Sequence, residues 1–227
     1  LYADGVFGEV RYSEVEYYHP MPPGSEERKR LWYFEGKPTW RHGLPLMQYP
    51  THCTDFVVGV TGERLVEVSC QGIRADDDAE LRGNQYGNPF HTEIALFRTN
   101  RGNLCRCARS RALKSSGERA QWFGERTSLH MASDAGQPFI FRQEGKKAVT
   151  EHPDYFDRLP EPMQIQTGHG NSHTFITREF ICALLEDREP EVDLYTAVAE
   201  TAPGIVAHQS SLRGGELIKV PSFDPAA

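Results

Sequence analysis

Apolar and polar residues alternate along several short segments of the chain, and this period of two is typical of β-strands. In the first such segment the apolar positions change sides between Tyr12 and Val15, which indicates a β-bulge or a strand covered on both faces. Tight turns such as Asn100-Arg101-Gly102 join the middle segments, so we expect an antiparallel meander there. Strands are predicted at 9–19, 64–73, 92–98, 104–112, 121–123, 128–131, 138–142, 147–150 and 216–220.

A helical period predicts helices at 25–34, 51–61, 174–186 and 193–210. The expected buried stripe of the third helix is Ile176, Phe180, Ala183 and Leu184, and that of the fourth is Leu194, Val198, Ala202 and Ile205. Most strands follow one another directly, and the helices are grouped elsewhere. This order predicts one α+β domain over 1–227, with a large, mostly antiparallel sheet and helices on one face.

The segment 44–63, LPLMQYPTHCTDFVVGVTGE, holds the first candidate chemistry. Thr51 is expected to cap its helix and Gly62 to end it. His52, Asp55, Phe56 and Val60 recur at helical spacing and therefore share a face. An imidazole exchanges protons near neutral pH, and a carboxylate three residues later can orient it. The same pattern also suits a core helix whose histidine bonds a backbone carbonyl.

Two further stretches carry residues that can bind ligands. Trp40, Arg41 and His42 lie in a predicted loop, where they could contact a ligand, although packing of Trp40 over the core is the favoured interpretation. The acidic run 76–78 lacks the glycine and distal glutamate of a calcium loop, so a solvated turn is expected.

Composition and charge restrict the class of protein. Among 227 residues, 38% are hydrophobic and 11% aromatic, which is enough for a packed core and argues against disorder. The net charge is −7 and the basic residues are not clustered, so no nucleic-acid partner is expected. A short basic stretch, Arg106–Lys114, is interpreted as the polar side of a strand, with an anion site as the alternative. The absence of a run of eighteen apolar residues argues against a membrane-spanning segment.

The five cysteines are odd in number and form no C-x-x-C pair, so free thiols in a reducing compartment are expected. No signal peptide is visible, which favours a cytoplasmic, bacterial location. The chain opens at Leu1 rather than Met, so a missing targeting segment stays possible.

Four segments in a fixed order resemble the C-terminal domain of the Gfo/Idh/MocA oxidoreductases: YPTHCTDFVVGVTGE, NPFHTEIALFRTNRG, GHGNSHTFITREFICALL and APGIVAHQSSLRGGELIKVPSF. The opening YADGVFGEVRYSEVEYY resembles the start of that domain. The resemblance implies a dihydrodipicolinate-reductase-like α+β fold with a substrate pocket. It also implies a homodimer or homotetramer formed through the outer face of the sheet. The implied cofactor is NAD or NADP, bound by a separate Rossmann domain, and the implied substrates are sugars, inositols and related polyols.

The resemblance also assigns residues. His52 matches the family histidine that takes the substrate proton, whereas Gln48 stands where the family has an aspartate and cannot take a proton. Asp55 matches an aspartate that more often supports the helix than reacts. We expect His52 to be catalytic; the expected substrate contacts are Gln48, Tyr49, Thr51, Asp55, Trp40, His169 and His173.

The chain has no G-x-G-x-x-G after a strand, so it is either the substrate half of a longer dehydrogenase or a standalone domain. Two alternatives stay open. One is an NAD-dependent glycosidase of the same superfamily, whose Y-P-T-H-G motif is similar to 49–53 with Cys53 in place of glycine. The other is a non-catalytic domain that binds a carbohydrate or assembles a partner. His52, His169 and His173 do not have the short spacing of metal ligands, so no metal is expected.

Overall fold

The computed structural model describes residues 1–132, 138–152, 154–168 and 172–225. Its helices are α1 Glu26–Trp32, α2 Thr51–Thr61, α3 Ser172–Glu186 and α4 Leu194–Leu212, and a short 3₁₀ turn, Leu46–Gln48, precedes α2. Its strands are β1 Val10–Tyr18, β2 Tyr33–Phe34, β3 Lys37–Pro38, β4 Leu65–Arg74, β5 Phe90–Thr99, β6 Leu104–Ser110, β7 Gly117–Gly124, β8 Thr127–His130, β9 Phe139–Gln143, β10 Val149–Glu151 and β11 Ile218–Lys219. The predicted α+β class, a large and mostly antiparallel sheet, is confirmed.

The large sheet has nine strands in the order β10-β9-β8-β7-β1-β6-β5-β4-β11. The expected uninterrupted meander is wrong at one place, because β1 lies between β6 and β7 and runs parallel to β6. The link from β6 to β7 therefore passes the end of β1, where Tyr18 pairs with both Ser110 and Gly117. The tight-turn rule could not detect this, since the link at 111–116 is longer than a hairpin turn.

The register of β1 shifts against β7 between Val10 and Tyr12, so an irregularity is present, but it lies before the change of side that was predicted between Tyr12 and Val15. After the bulge, Val15 packs in the core and Tyr17 packs against it, on the face that α2 covers. The core combines side chains from this face of the sheet with others from α2: Val15, Val68, Cys70, Phe97, Cys105, Cys107, Ala120 and Trp122, with Cys53, Val57 and Val58. All five cysteines are free, as expected.

The central helix ends as predicted but starts differently. Gly62 closes α2 at φ 69°, and its N–H donates to the Val58 carbonyl. Thr51 was expected to cap the helix but is its first residue, and Pro50 occupies the cap position without a side-chain hydrogen bond. The face that His52, Asp55, Phe56 and Val60 were predicted to share is not the buried side of the helix, since Val60 is 38% exposed. That buried side carries Cys53, Thr54, Val57, Val58 and Thr61.

The predicted buried stripes of α3 and α4 are wrong, apart from Ala183 of α3, which is buried. On α3, Ile176, Phe180 and Leu184 are exposed by 67%, 58% and 65%. On α4, Leu194 is exposed by 72%. The side of α4 that is buried carries small and polar residues: Glu200, Pro203, Gly204, Val206, Ala207, His208, Ser210 and Ser211. Because these residues let α4 approach its neighbours closely, hydropathy alone does not reveal the packed side.

Gly204 shows how close that approach is. A Cβ atom at this position would collide with the Met47 carbonyl oxygen and with the Pro50 ring. Glycine therefore lets α4 lie directly against the 3₁₀ turn and the start of α2. The position of α2 over the sheet depends on this contact.

Glu93 of β5 connects three elements from a fully buried position. One carboxylate oxygen accepts the Met47 N–H at 3.1 Å, and the other accepts from His208 Nδ1 at 2.8 Å and Ser211 Oγ at 2.6 Å. A buried carboxylate is tolerated only when such partners satisfy it. Glu93 thus joins the sheet to α4 and to the 3₁₀ turn.

Replacing Glu93 is expected to be severe. Glu93→Ala leaves the Met47 N–H, His208 and Ser211 without their acceptor, so we expect a loss of about 3–5 kcal/mol in the free energy of unfolding. Urea denaturation measures it. Glu67→Ala on β4 is the control, because its ion pair with Arg98 lies at the surface and should contribute about 1 kcal/mol or less. Similar losses in the two variants would contradict this role for Glu93.

Asp55 of α2 faces Glu200 of α4. Burial of the Glu200 side chain, followed by the nearby Asp55 carboxylate, raises the pKa of Glu200 to about 7. Glu200 is only 5% exposed, and its Oε1 has no hydrogen-bond partner among the described residues. The protonated form of Glu200 therefore fits this packing better than the carboxylate does.

This raised pKa predicts a pH dependence of stability. Protonated Glu200 favours the fold, so its contribution is fully present below the ordinary glutamate pKa and is lost as pH rises through about 7. Relative to Glu200→Gln, the wild-type chain should lose roughly 3 kcal/mol of unfolding free energy between about pH 5 and pH 8. Chemical denaturation of both proteins across this range tests it, and parallel pH profiles would contradict it.

Candidate functional site

Three polar side chains lie side by side across the centre of the sheet. Tyr17 of β1 pairs with Arg109 of β6 on one side and with Glu118 of β7 on the other. Directly paired residues in neighbouring strands project from the same face of a sheet. The three side chains therefore form a row on the face covered by the helices, near the start of α2.

His52, in the first turn of α2, lies against this row. Its ring stacks on Tyr17 with centroids 4.2 Å apart and planes inclined by 14°, and Tyr49 flanks it at 5.0 Å. His52 Nδ1 lies 3.0 Å from Glu118 Oε2. When the neutral ring carries its proton on Nδ1, that N–H donates to Glu118 and Nε2 has a free lone pair. The contacts thus orient an imidazole that can accept a proton.

A second polar chain starts at the Tyr17 hydroxyl. This hydroxyl lies 2.9 Å from His19 Nδ1, and His19 Nε2 lies 3.1 Å from Glu27 Oε1 on α1. Burial raises the pKa of Tyr17, although the nearby Arg109 opposes the shift. At neutral pH the phenol therefore keeps its proton and can donate a hydrogen bond.

These groups border a cavity of about 370 Å³, a size typical of small-molecule sites. Its wall comes from β1, the end of β6, α1 and the segment before α2. The lining residues are Tyr17, His19, Met21, Glu27, Arg30, Leu31, Trp32, Trp40, Arg41, Leu44, Leu46, Tyr49, His52, Arg109, Ser110 and Arg111.

The α1 wall of the cavity is fixed by a buried ion pair. Arg28 Nη1 lies 2.6 Å from Asp78 Oδ2, and the two side chains are 4% and 6% exposed. The solvated turn expected at 76–78 is therefore wrong for Asp78, since Arg28 reaches it from α1. This pair holds the cavity-facing residues of α1 beside the sheet.

Two arginines of the basic stretch also face the cavity. The guanidinium of Arg109 lies 4.6 Å from the Tyr17 ring centre and 5.5 Å from that of Tyr49. Arg111 is half-buried and donates from Nη1 to the Leu44 carbonyl at 2.7 Å. The interpretation as the polar side of a strand holds for Arg106, which pairs with Glu14, but is wrong for Arg109, which is 3% exposed.

The structure brings three of the predicted site residues together: His52, Tyr49 and Trp40 all line the cavity. Trp40 is 58% exposed at the edge of the cavity, with the Arg41 guanidinium 4.9 Å from its ring, so its expected packing over the core is wrong.

The other predicted residues lie elsewhere. Gln48 ends the 3₁₀ turn, Thr51 is exposed on α2, and Asp55 faces Glu200 instead of orienting His52. His173 is exposed in the first turn of α3 and is not among the residues that line the cavity. His169 lies outside the described residues.

The family model described as "GFO/IDH/MocA C-terminal domain" matches residues 1–130, which is more than half of the chain and includes Glu118 and every residue that lines the cavity. The chain belongs to the Gfo/Idh/MocA C-terminal domain family. The resemblance inferred from the sequence is thus confirmed. No curated protein matches the chain.

Solved structures share the fold of this Gfo/Idh/MocA domain. Levoglucosan dehydrogenase in complex with NADH aligns with a TM-score of 0.75 at 12% identity, covering 98% of this chain and 61% of that chain. An oxidoreductase domain protein from Kribbella flavida gives 0.70 at 17% identity, covering 97% and 60%. UDP-N-acetylglucosamine 3-dehydrogenase GnnA from Acidithiobacillus ferrooxidans gives 0.59 at 16% identity, covering 93% and 55%. The chain thus spans roughly three fifths of these proteins.

Sequence reasoning missed Tyr17, Glu118 and Arg109. Alternation assigns Tyr17 and Arg109 to one face of their own strands, whereas the strand predicted at 121–123 did not reach Glu118. Only the placement of β1 between β6 and β7 makes the three residues neighbours. A carboxylate does lie beside His52, as predicted, but it is not Asp55 of the same helix. Glu118, 66 positions further along the chain, makes the contact.

Three other features are absent from the part of the chain that the structure describes. No helix there has both the length and the apolar character needed to cross a bilayer. Within the same residues, no three side chains of His, Cys, Asp or Glu are placed to hold a metal ion. Nor does any described strand lead through a glycine-rich turn into a helix, the arrangement that holds a dinucleotide. The described residues therefore do not fit NAD or NADP by themselves.

Proposed function

We propose that this chain is the substrate-binding half of an NAD(P)-dependent oxidoreductase that acts on a hydroxyl of a sugar, inositol or related polyol. His52 is the proposed proton-transfer residue. The observation that carries the proposal is the contact between His52 Nδ1 and Glu118 at the wall of the cavity. A base held by a carboxylate and facing a small-molecule cavity is suited to general base catalysis.

The proposed chemistry of this chain is limited to the proton. Oxidation of an alcohol removes a hydride from carbon and a proton from oxygen, and leaves a carbonyl group. The substrate hydroxyl donates to His52 Nε2, which takes the proton, and the resulting imidazolium is stabilised by Glu118. Because the described residues do not hold a dinucleotide, the proposal assigns NAD or NADP, the hydride acceptor, to a nucleotide-binding domain outside them.

The cavity wall supports a carbohydrate or polyol as substrate. Tyr49 and Trp40 offer aromatic faces, on which the C–H face of a sugar ring can pack. Arg41 and the Tyr17–His19 pair offer hydrogen-bonding groups for hydroxyls. Two of the structural neighbours are named as dehydrogenases of carbohydrate compounds, which supports the same substrate class.

An exposed apolar surface supports the presence of a further domain. On α3, Leu185 is exposed by 81% and Leu184 by 65%. Exposed apolar side chains grouped on one helix commonly mark a contact surface. The proposed nucleotide-binding domain is one occupant for this helix.

A different surface supports assembly of this chain with copies of itself. Ile73, Ile94 and Leu96 are exposed by 55%, 43% and 46% on the face of β4 and β5 opposite the helices. Adjacent apolar residues on an open sheet face favour a self-complementary contact. We therefore propose a homodimer or homotetramer through this outer face.

His52→Ala is expected to lower kcat of the complete two-domain enzyme by about 100-fold or more, since the base is lost. Glu118→Gln keeps the shape but loses the charge, and should lower kcat by roughly 10-fold or more. Turnover on a panel of sugars and polyols is measured through the absorbance of the NADH or NADPH that forms. Glu125→Gln is the control, since this residue pairs with Arg11 away from the cavity.

Wild-type turnover in His52→Ala would remove His52 from the mechanism. Sugar release without net NADH formation would instead favour the glycosidase alternative. Binding of carbohydrate without either reaction would favour the non-catalytic alternative.

The assembly proposal predicts that light scattering detects a dimer or tetramer of the 227-residue chain. Leu96→Glu should convert it into a monomer that stays folded, because Leu96 is exposed and lies outside the core. Leu185→Glu on α3 is the matched control and should keep the assembly intact. A monomeric wild-type chain, or an intact assembly in Leu96→Glu, would contradict the proposal.

A further inference from the structure

Arg109 is a buried cation whose hydrogen-bonding capacity is not used. The side chain is 3% exposed, and its Nε and Nη1 have no hydrogen-bond partner among the described residues. Arginine always carries its charge, and a buried charge is costly unless it is paired. Arg109 also lines the cavity, so a ligand there can accept hydrogen bonds from the part of the guanidinium that faces it.

The carboxylates nearest to Arg109 in the sheet are committed elsewhere. Glu93 pairs with Arg109 across β5 and β6, but both of its oxygens accept hydrogen bonds from Met47, His208 and Ser211. Glu118, two strands away, accepts from His52. Neither carboxylate is hydrogen-bonded to the guanidinium of Arg109.

The remaining charges around the cavity increase its positive potential. Four arginines line it, Arg30, Arg41, Arg109 and Arg111, against one carboxylate, Glu27, which is shared between Arg30 and His19. Burial, together with the guanidinium groups of Arg109 and Arg28, lowers the pKa of Arg111 to about 10. That shift is what an excess of positive charge in a poorly solvated place produces.

We propose that Arg109 binds the acidic group, a carboxylate or a phosphate, of an anionic sugar or polyol. The planar guanidinium is suited to either group, because it can donate two parallel hydrogen bonds to a pair of oxygens. The inference rests on the proposed function for the role of the substrate hydroxyl. It narrows the proposed substrates to sugars and polyols that carry an acidic group.

The distance between Arg109 and His52 fits such a ligand. Both groups lie against the Tyr17 ring, 4.6 Å and 4.2 Å from its centre, so they are no further apart than the sum of these distances. Tyr49 also contacts both, at 5.5 Å and 5.0 Å. Because the Tyr17 ring lies between the two groups, a six-membered ring with an acidic substituent passes along the edge of that ring, with its acid group on Arg109 and one of its hydroxyls at His52.

The test compares matched pairs of neutral and acidic ligands by calorimetry on the 227-residue chain at constant ionic strength. The pairs are glucose with glucuronate, galactose with galacturonate, and glucose with glucose 6-phosphate. Inorganic phosphate tests the anion without a sugar. In at least one pair the acid should bind about 10-fold more tightly or better than the neutral sugar, as expected for a charge-assisted contact. Preference for uronates or for the sugar phosphate identifies the acidic group.

Arg109→Gln should abolish this preference, and Arg109→Lys should retain part of it. Arg106→Gln is the matched control, because Arg106 lies on the same strand but pairs with Glu14 on the opposite face. Circular dichroism checks that each variant is folded. If Arg109→Gln does not fold, the comparison of acidic with neutral ligands on the wild-type chain decides the question.

Equal binding of the acid and the neutral sugar in every pair, a preference that persists in Arg109→Gln, or failure of every acid to bind would each overturn the inference. Binding of neutral sugars alone would overturn it while leaving the proposed function intact. The turnover of the complete enzyme tests that function separately.

Discussion

The placement of β1 between β6 and β7 is the constraint on which the candidate site depends. It makes Tyr17 the neighbour of both Arg109 and Glu118 and aligns the three side chains under the first turn of α2. His52 then stacks on Tyr17, the middle residue, and forms a hydrogen bond with Glu118. If β1 lay at an edge of the sheet, Arg109 and Glu118 would be direct neighbours and no aromatic ring would separate the cation from the imidazole.

Glu93, Arg109, Tyr17 and Glu118 are paired in turn across four neighbouring strands, and these residues contribute to both stability and the proposed function. At Glu93, the carboxylate is used entirely to hold the 3₁₀ turn and α4, and these elements position Tyr49 and His52. Glu118, in contrast, forms its hydrogen bond with the imidazole ring of His52. Arg109, between them, keeps donors without acceptors and borders the cavity. The structural anchor and the proposed ligand anchor are thus adjacent residues in paired strands.

Local patterns in the sequence determined much of the fold but little of the site. Alternation located the strands of the large sheet but not β2 and β3. Gly62 and Asp193 marked helix ends because their backbone and side-chain preferences act locally. The buried sides of α3 and α4 were predicted wrongly, since α4 packs through Gly204, Ala207 and Ser211 while the large apolar residues of α3 are exposed. Strand register and contacts such as His52 with Glu118 join distant parts of the chain, and no local pattern encodes them.

The protonation of the His52 ring tests the central claim most directly. The proposed mechanism requires that neutral His52 carries its proton on Nδ1 and donates a hydrogen bond from this N–H to Glu118. Its Nε2 is then free to accept a proton. Long-range ¹H–¹⁵N correlation spectra of the chain, with His52 assigned by comparison with His52→Gln, report which nitrogen is protonated. The Nδ1–H form in the wild-type chain, lost in Glu118→Ala, which has no acceptor at this position, is the predicted result. An Nε2–H form in the wild-type chain would contradict the account.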